Sequence, residues 1–230
     1  MIALVLALAV ALALAYLYCY GGYEGPIDWL MHTDAHGSRD RAQIALTFDD
    51  GPDPAHTPAL LDALAALDVK ATFFVIGAAA DANPELCARI AREGHELGNH
   101  TYTHRYLPLA RSRSVANELA LTDAAIARAT GIVPGLARPP WGGRRPATVR
   151  AFHRLAKRVV LWDVNSFDWK GKPADEVAQR VLERVRPGSI VLMHDARAGG
   201  ETTIDAVRIL VPALRARGYE LVTAGCAIAP

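Results

Sequence analysis

The sequence is poor in the residues that mark several classes of protein. Its three cysteines, Cys19, Cys87 and Cys226, have neither the spacing of a zinc finger nor that of a redox motif. Cys87 and Cys226 are compatible with a disulfide or with two free thiols, and the sequence does not separate these alternatives. The formal net charge is only +1, so the chain lacks the basic surface that phosphate binding requires, and we expect no nucleic-acid partner.

Basic residues are also missing from the N-terminus, where the first lysine or arginine is Arg39. Residues 2–20 (IALVLALAVALALAYLYCY) carry no charge, and 19 helical residues span about 28 Å, close to the hydrocarbon thickness of a bilayer. A cleaved signal peptide needs a basic n-region and a small-x-small site, for which ALALAY is a weak match. We therefore predict that residues 1–20 form a transmembrane anchor or an uncleaved signal. The domain that follows is expected outside the cytoplasm, held at the membrane by this single span.

The rest of the chain divides into a linker and one domain. Residues 21–42 are rich in glycine, proline and charged residues, which predicts a linker. Residues 43–230 alternate between short apolar runs and six amphipathic helical patterns. One helix is predicted to begin with Thr57 as N-cap and Pro58 at N1. The seven strand candidates are QIALTFD, KATFFVIG, HELGNHT, LARPPW, RVVLWDV, SIVLMHD and ELVTAG. This alternation indicates parallel βα units in an α/β sheet, either open and doubly wound or closed into a barrel.

Polar and ionisable side chains recur at the predicted carboxyl ends of these strands, where parallel α/β folds form their binding sites. Polar residues also mark the points where strands stop, but that alternative does not explain the residue types. The candidates are Asp49, Asp50, Asn99, His100, His104, Arg138, Trp141, Asp163, Asp168, His194 and Asp195.

The segment HTYTH contains two histidines at a spacing that suits a metal ion. On a helical turn, His100 and His104 would lie on one face about 5–6 Å apart, close enough to share a cation. An isolated HxxxH is more often a pair of surface histidines. The helical zinc-protease motif has a glutamate after its first histidine, and Thr101 stands there instead. A third ligand and a general base would therefore have to come from elsewhere in the chain.

The adjacent carboxylates of TFDDGP, Asp49 and Asp50, are able to supply both. Gly51 and Pro52 end the pleat, so two consecutive side chains can reach one pocket. One carboxylate would then complete an Asp-His-His site while the other accepts a proton from an attacking water. A divalent cation would offset the repulsion between the two charges. The alternative is a turn in which both aspartates cap backbone groups.

Five segments in chain order, TFDDGP, HTYTH, RPPW, DVNSFDW and LMH, resemble the motifs of the polysaccharide deacetylases with a NodB homology domain, carbohydrate esterase family 4. The match covers residues 43–225. The resemblance implies a distorted (β/α)7 barrel after the N-terminal transmembrane helix. It also implies a metal-dependent hydrolase that removes N-acetyl groups from the aminosugars of a glycan of the chitin or peptidoglycan type. An O-acetyl esterase on xylan or cell-wall glycan, and a deformylase or deacetylase of a lipid-linked sugar, are the alternatives.

The resemblance assigns roles by position. Asp49 matches the catalytic base, Arg138 the arginine that pairs with it, His194 the general acid and Asp168 the carboxylate that orients this acid. A catalytically inactive glycan-binding module would lack one of the metal or acid positions, and all of them are present. Three further residues match positions that contact the substrate: Trp141, whose backbone N–H helps to hold the oxyanion, Trp169, an aromatic wall, and Leu192, beside the acetyl methyl group.

Asp50, His100 and His104 match the metal ligands of the family. They imply one divalent ion, zinc or alternatively cobalt or nickel. The expected partners are an acetylated glycan substrate and the membrane, and we expect a monomer. In one departure, many members have an aspartate where this chain has Asn165, although Asp163 lies close by.

Overall fold

The structure, a computed structural model, describes residues 5–12, 31–196 and 200–229. Within these residues nine strands form one sheet, and all of its ladders are parallel. The strands are β1 (Thr33–Asp34), β2 (Gln43–Asp49), β3 (Thr72–Val75), β4 (Glu96–Asn99), β5 (Leu136–Ala137), β6 (Arg158–Val160), β7 (Val164–Asn165), β8 (Ile190–His194) and β9 (Glu220–Val222).

The α-helices of the folded domain lie between these strands and follow the last one. They are α1 (Thr57–Ala66), α2 (Gly77–Ala82), α3 (Pro84–Arg92), α4 (Ser112–Thr130), α5 (Pro146–Arg154), α6 (Ala174–Leu182), α7 (Gly200–Ala216) and α8 (Ala224–Ala227). Each predicted strand segment contains a strand, and each of the six predicted helices is present. The predicted N-cap is wrong by one residue, since His56 is the N-cap of α1 and Thr57 is its first residue. The Thr57 hydroxyl instead donates to Asp195 Oδ2 at 2.6 Å.

The sheet curls because of how its strands are connected. Its order is β1-β6-β5-β4-β3-β2-β8-β7, with β9 paired to the start of β2. β6 lies near one end of this order and β7 at the other, yet only residues 161–163 join them, a distance of about 10–15 Å at most. Backbone hydrogen bonds join this segment to strands on both sides of the sheet. Leu161 N donates to Asp34 O (2.7 Å), and Asp163 N donates to Ile190 O (3.2 Å). The predicted distorted barrel is therefore confirmed as a curled parallel sheet, and the open doubly wound alternative is wrong.

The two faces of the sheet bury different residues, because side chains alternate along a strand. Ile44, Leu46 and Phe48 of β2 belong to the large core between the sheet and the helices. Ala45 points to the other face, the barrel interior, and the same alternation places Asp49 at the carboxyl end of that interior. The interior core includes Ala45, Phe74, Val160, Leu161, Trp162, Ile190 and Leu192.

The predicted anchor lies largely outside the described residues. Residues 5–12 are helical, and large apolar side chains among them are exposed, including Val5, Leu8 and Leu12. Residues 1–4 and 13–20 are not described. Among residues 5–12, 31–196 and 200–229, no helix combines the length and the apolar character that a membrane crossing requires.

The predicted linker, residues 21–42, is described from residue 31 onward, and this part belongs to the folded domain. Thr33 and Asp34 form β1 and pair with β6, and Met31 and Ala35 are buried. This strand has only two residues, neither of them apolar, which explains why the sequence does not reveal it.

The two described cysteines are free thiols rather than a disulfide. Cys87 is buried on α3, whereas Cys226 is exposed on α8.

Candidate active site

The site lies at the carboxyl ends of β2, β4, β5 and β8, where the sequence analysis places its candidates. Asp49 ends β2 facing the barrel interior, and a continued pleat would turn Asp50 to the opposite face. Asp50 instead adopts φ of +79°, which ends the strand conformation. Its Oδ1 lies 3.1 Å from His104 Nε2 and 3.5 Å from His100 Nε2. The two adjacent carboxylates therefore do share one pocket.

The two histidines meet through a loop rather than through the predicted helical turn. His100 follows β4 directly, and no residue of the segment 100–104 is helical. Thr101 and His104 both have left-handed backbone angles, with φ of +67° and +52°. The ring centroids are 5.0 Å apart. The prediction that the rings are neighbours is confirmed, whereas the helical reason for it is wrong.

Asp50, His100 and His104 form a cluster that fits a metal ion. Each offers one ligand atom, and these atoms lie within 4.8 Å of one another. His100 donates from Nδ1 to the carbonyl of Arg138 at 2.8 Å, which leaves Nε2 to face the cluster. Burial lowers the pKa of His100 to about 3, so the ring is neutral and able to ligate. One oxygen and two nitrogens suit a zinc-class ion and leave coordination positions open for water and substrate.

Asp49 is held beside this cluster by a buried arginine. Arg138 is fully buried, and its Nη1 donates to Asp49 Oδ1 at 2.7 Å and to Thr47 Oγ1 at 2.8 Å. The guanidinium also donates to two backbone carbonyls and lies 4.0 Å from the Phe74 ring. Burial raises the pKa of Asp49, and the charge of Arg138 lowers it only in part. The predicted pairing of Arg138 with Asp49 is present, but its effect on the pKa of Asp49 is smaller than the effect of burial.

His194 and Asp168 form the second ionisable pair. Asp168 is fully buried, and its two oxygens accept from His194 Nδ1 at 3.0 Å and from His194 N at 2.7 Å. Burial by itself lowers the pKa of His194. The hydrogen bond and charge of Asp168, together with Asp49 and Asp50, outweigh burial and raise that pKa. The imidazole is therefore protonated over a wider pH range than a free histidine.

Two exposed tryptophans flank the ionisable groups. Trp141, in a 3-10 turn with φ of +54°, is 53% exposed and its ring lies 4.4 Å from that of His104. Trp169 is 39% exposed and its ring lies 4.8 Å from that of His194. Leu192 is buried in the barrel interior, two residues before His194 on the same face of β8. These exposed rings give the site two apolar walls.

Two of the candidates, Asp163 and Asp195, lie outside this constellation. Asp163 accepts from Ser189 Oγ (2.9 Å) and from Arg39 (3.0 Å), so it does not replace the carboxylate missing at Asn165. Asn165 Oδ1 instead accepts from a backbone N–H two residues later. Asp195 bonds Thr57 rather than His194, and burial raises its pKa to about 7.

Three buried polar residues that are not among the sequence candidates support the site. Thr47 bonds Arg138, Thr203 donates to Asp168 Oδ2 at 2.7 Å, and Glu118 accepts from the histidine loop. All three stand on core-facing positions of a strand or an amphipathic helix. A polar residue within an otherwise apolar stripe is the signal that identifies them.

Known proteins share this arrangement of sequence and fold. The chain matches the family model described as polysaccharide deacetylase over residues 36–160, more than half of its length. The chain belongs to the polysaccharide deacetylase family. Members of this family are hydrolases that remove acetyl groups from glycans, and this polysaccharide deacetylase is such an enzyme.

Relatives with different substrates in their names resemble this polysaccharide deacetylase. It is 38% identical over 188 residues to a peptidoglycan-N-acetylglucosamine deacetylase of Bacillus cereus, which covers 81% of this chain and 68% of the relative. It is 37% identical over 200 residues to a chitooligosaccharide deacetylase of Bradyrhizobium, covering 82% and 90%. Some other relatives are longer, and the match spans 38% of their length.

A solved structure agrees with the deacetylase fold. The crystal structure of the Bc1960 peptidoglycan N-acetylglucosamine deacetylase has a TM-score of 0.85 at 35% identity. The match covers 89% of this chain and 97% of that one. The likeness therefore extends over most of this chain and nearly all of the solved one.

Proposed function

We propose that this polysaccharide deacetylase removes N-acetyl groups from the aminosugars of a peptidoglycan- or chitin-type glycan, with one zinc ion held by Asp50, His100 and His104. One observation carries the proposal: three ligand atoms converge within 4.8 Å beside the buried carboxylate of Asp49. The names of the two relatives support the substrate class.

Asp49 is the proposed general base. A divalent cation bound at the cluster would polarise the acetyl carbonyl and lower the pKa of the attacking water. Asp49 Oδ1 is fixed by Arg138, while Oδ2 lies 3.6 Å from His100 Nε2 and therefore faces the cluster. This orientation lets Asp49 accept the proton that the water loses as it attacks the acetyl carbon.

His194 is the proposed general acid. The register of β2 and β8 pairs it directly with Asp49, so base and acid stand side by side on the interior face. Asp168 binds Nδ1, which leaves Nε2 as the atom that donates a proton to the departing amine. An amine is a poor leaving group unless it is protonated, and the raised pKa of His194 keeps that proton available.

Trp141 and Trp169 are proposed to contact the substrate, Trp141 through a backbone N–H that helps to hold the oxyanion and Trp169 as an aromatic wall. Both rings are exposed and lie beside the ionisable groups, His104 on one side and His194 on the other. Leu192, on the interior face below His194, is the proposed contact for the acetyl methyl group.

A panel of acetylated glycans tests the proposal. The full chain should release acetate from N-acetylated chitooligosaccharides or peptidoglycan fragments and leave free amines as the second product. Chelation should stop this release, and added zinc should restore it. Circular dichroism of the chelated protein confirms that the fold persists. Release that resists chelation would contradict the metal role, and release from O-acetylated xylan alone would favour the esterase alternative.

The proposed location is the outer side of a membrane, with residues 1–20 as the tether. The support is the uncharged run at residues 2–20 and the exposed apolar side chains of Val5, Leu8 and Leu12. Membrane fractionation of cells that express the full chain, followed by protease treatment of intact cells, checks this. Recovery of the full chain in the soluble fraction would contradict it.

A further inference from the structure

Helix α4 holds the histidine loop, residues 100–104, through one buried carboxylate. Glu118 is 6% exposed, and its Oε2 accepts from the backbone N–H groups of Tyr102 at 2.9 Å and Thr103 at 2.7 Å. Its Oε1 accepts from Thr103 Oγ1 at 2.8 Å. A buried carboxylate is costly without such partners, and three donors from the loop supply them here.

The loop requires support from its surroundings. Thr101 and His104 have positive φ, a conformation that non-glycine residues keep only where neighbouring structure enforces it. Tyr102 and Thr103 lie between these two residues, and they are the residues whose backbone Glu118 binds. Glu118 therefore fixes the peptide units that connect the two histidine ligands.

The same helix anchors the start of the loop by a different contact. Asn99 donates to a backbone carbonyl of α4 at 2.9 Å and to Asp123 Oδ1 at 2.8 Å. Its Oδ1 accepts from Thr101 N at 2.9 Å, which holds the chain around His100. Helix α4 thus supports the His100 side through Asn99 and the His104 side through Glu118.

We propose that Glu118 is a positioning residue of the metal site. It acts through the backbone of residues 102 and 103, and its effect is to place the His104 imidazole opposite Asp50. The inference rests on the metal site of the proposed function. Loss of the Glu118 carboxylate should therefore weaken metal binding first, and slow the reaction only where metal becomes limiting.

Zinc titration of the demetallated full chain tests this by calorimetry. Glu118→Ala should raise the zinc dissociation constant about 10- to 100-fold, the range known for groups that orient metal ligands. At saturating zinc its kcat should return close to that of the wild type, because Asp49 and His194 are unchanged. Glu118→Gln keeps an acceptor oxygen for the two N–H groups and should lose less zinc affinity.

The control is Thr122→Val, one turn further along α4. The Thr122 hydroxyl is buried but donates to the helix's own carbonyl at Glu118, not to the loop, so zinc affinity should not change. If Glu118→Ala does not fold, Thr103→Val removes one of the three bonds and should raise the dissociation constant in the same direction. Wild-type zinc affinity in a folded Glu118→Ala variant would overturn the inference. If Glu118→Ala does not fold, wild-type zinc affinity in Thr103→Val would overturn it. If the wild-type protein itself binds no zinc, that result would instead contradict the proposed function.

Discussion

Replacing Asp49 with asparagine is expected to reduce deacetylation roughly 10²–10⁴-fold, the contribution typical of a positioned general base, while zinc binding persists. Asparagine has nearly the same shape and can still accept the hydrogen bond from Arg138, so the change removes mainly the proton acceptor. The three ligands Asp50, His100 and His104 are unaltered. Steady-state kinetics on an N-acetylated chitooligosaccharide and calorimetric zinc titration measure the two effects separately.

Asp62→Asn is the matched control for this prediction. The side chain of Asp62 is 70% exposed on α1 and pairs with Arg89, so the same chemical change there should leave both activity and zinc affinity at wild-type values. Thermal unfolding verifies that the Asp49 variant is folded, because it weakens a buried ion pair. Near-wild-type turnover in a folded Asp49→Asn protein would exclude Asp49 as the base.

Replacing His194 with alanine should have an effect that depends on the bond being cleaved. Hydrolysis of an N-acetyl amide should fall by a similar factor, about 10²–10⁴, because the amine leaves only with a proton. Hydrolysis of an O-acetyl ester should fall much less, since an alcohol is a better leaving group. Parallel assays on an N-acetylated and an O-acetylated sugar measure the difference.

The pH dependence gives a second readout of the same residue. The protonated ring is the proposed donor and its pKa is raised, so wild-type kcat/KM should decline as pH rises through that raised pKa. The His194→Ala variant should lose this alkaline limb. His153→Ala, at an exposed position on α5, should keep it. Equal losses of activity on the amide and the ester would exclude His194 as the general acid. A decline of kcat/KM at high pH that persists in His194→Ala would exclude it as well.

The identity of the site residues could be predicted because the chemistry is local in sequence. Two carboxylates at the end of an apolar strand and two histidines four residues apart restrict the possible ligands strongly. The backbone conformation could not be predicted in the same way. The spacing of His100 and His104 fits a helical turn as well as the observed loop, and the loop depends on contacts from α4 that are distant in sequence. Glu118 was missed for that reason.

The architecture was predictable to a similar degree. Long strands such as β2 and β8 produce a clear apolar pattern, whereas β1 (Thr33–Asp34) and β7 (Val164–Asn165) contain at most one apolar residue each and do not. Sequence pattern alone left the sheet open or closed. The decisive feature is that residues 161–163 connect opposite sides of the sheet, which is visible only once β6 and β7 are known as separate strands.

The most direct measurement is a crystal structure of the full chain grown with zinc, with anomalous diffraction recorded at the zinc edge. We expect one strong anomalous peak about 2.0–2.2 Å from an oxygen of Asp50 and from Nε2 of His100 and His104, with Asp49 outside the ligand shell. A pocket without a peak in ample zinc, or imidazoles directed away from each other, would contradict the account.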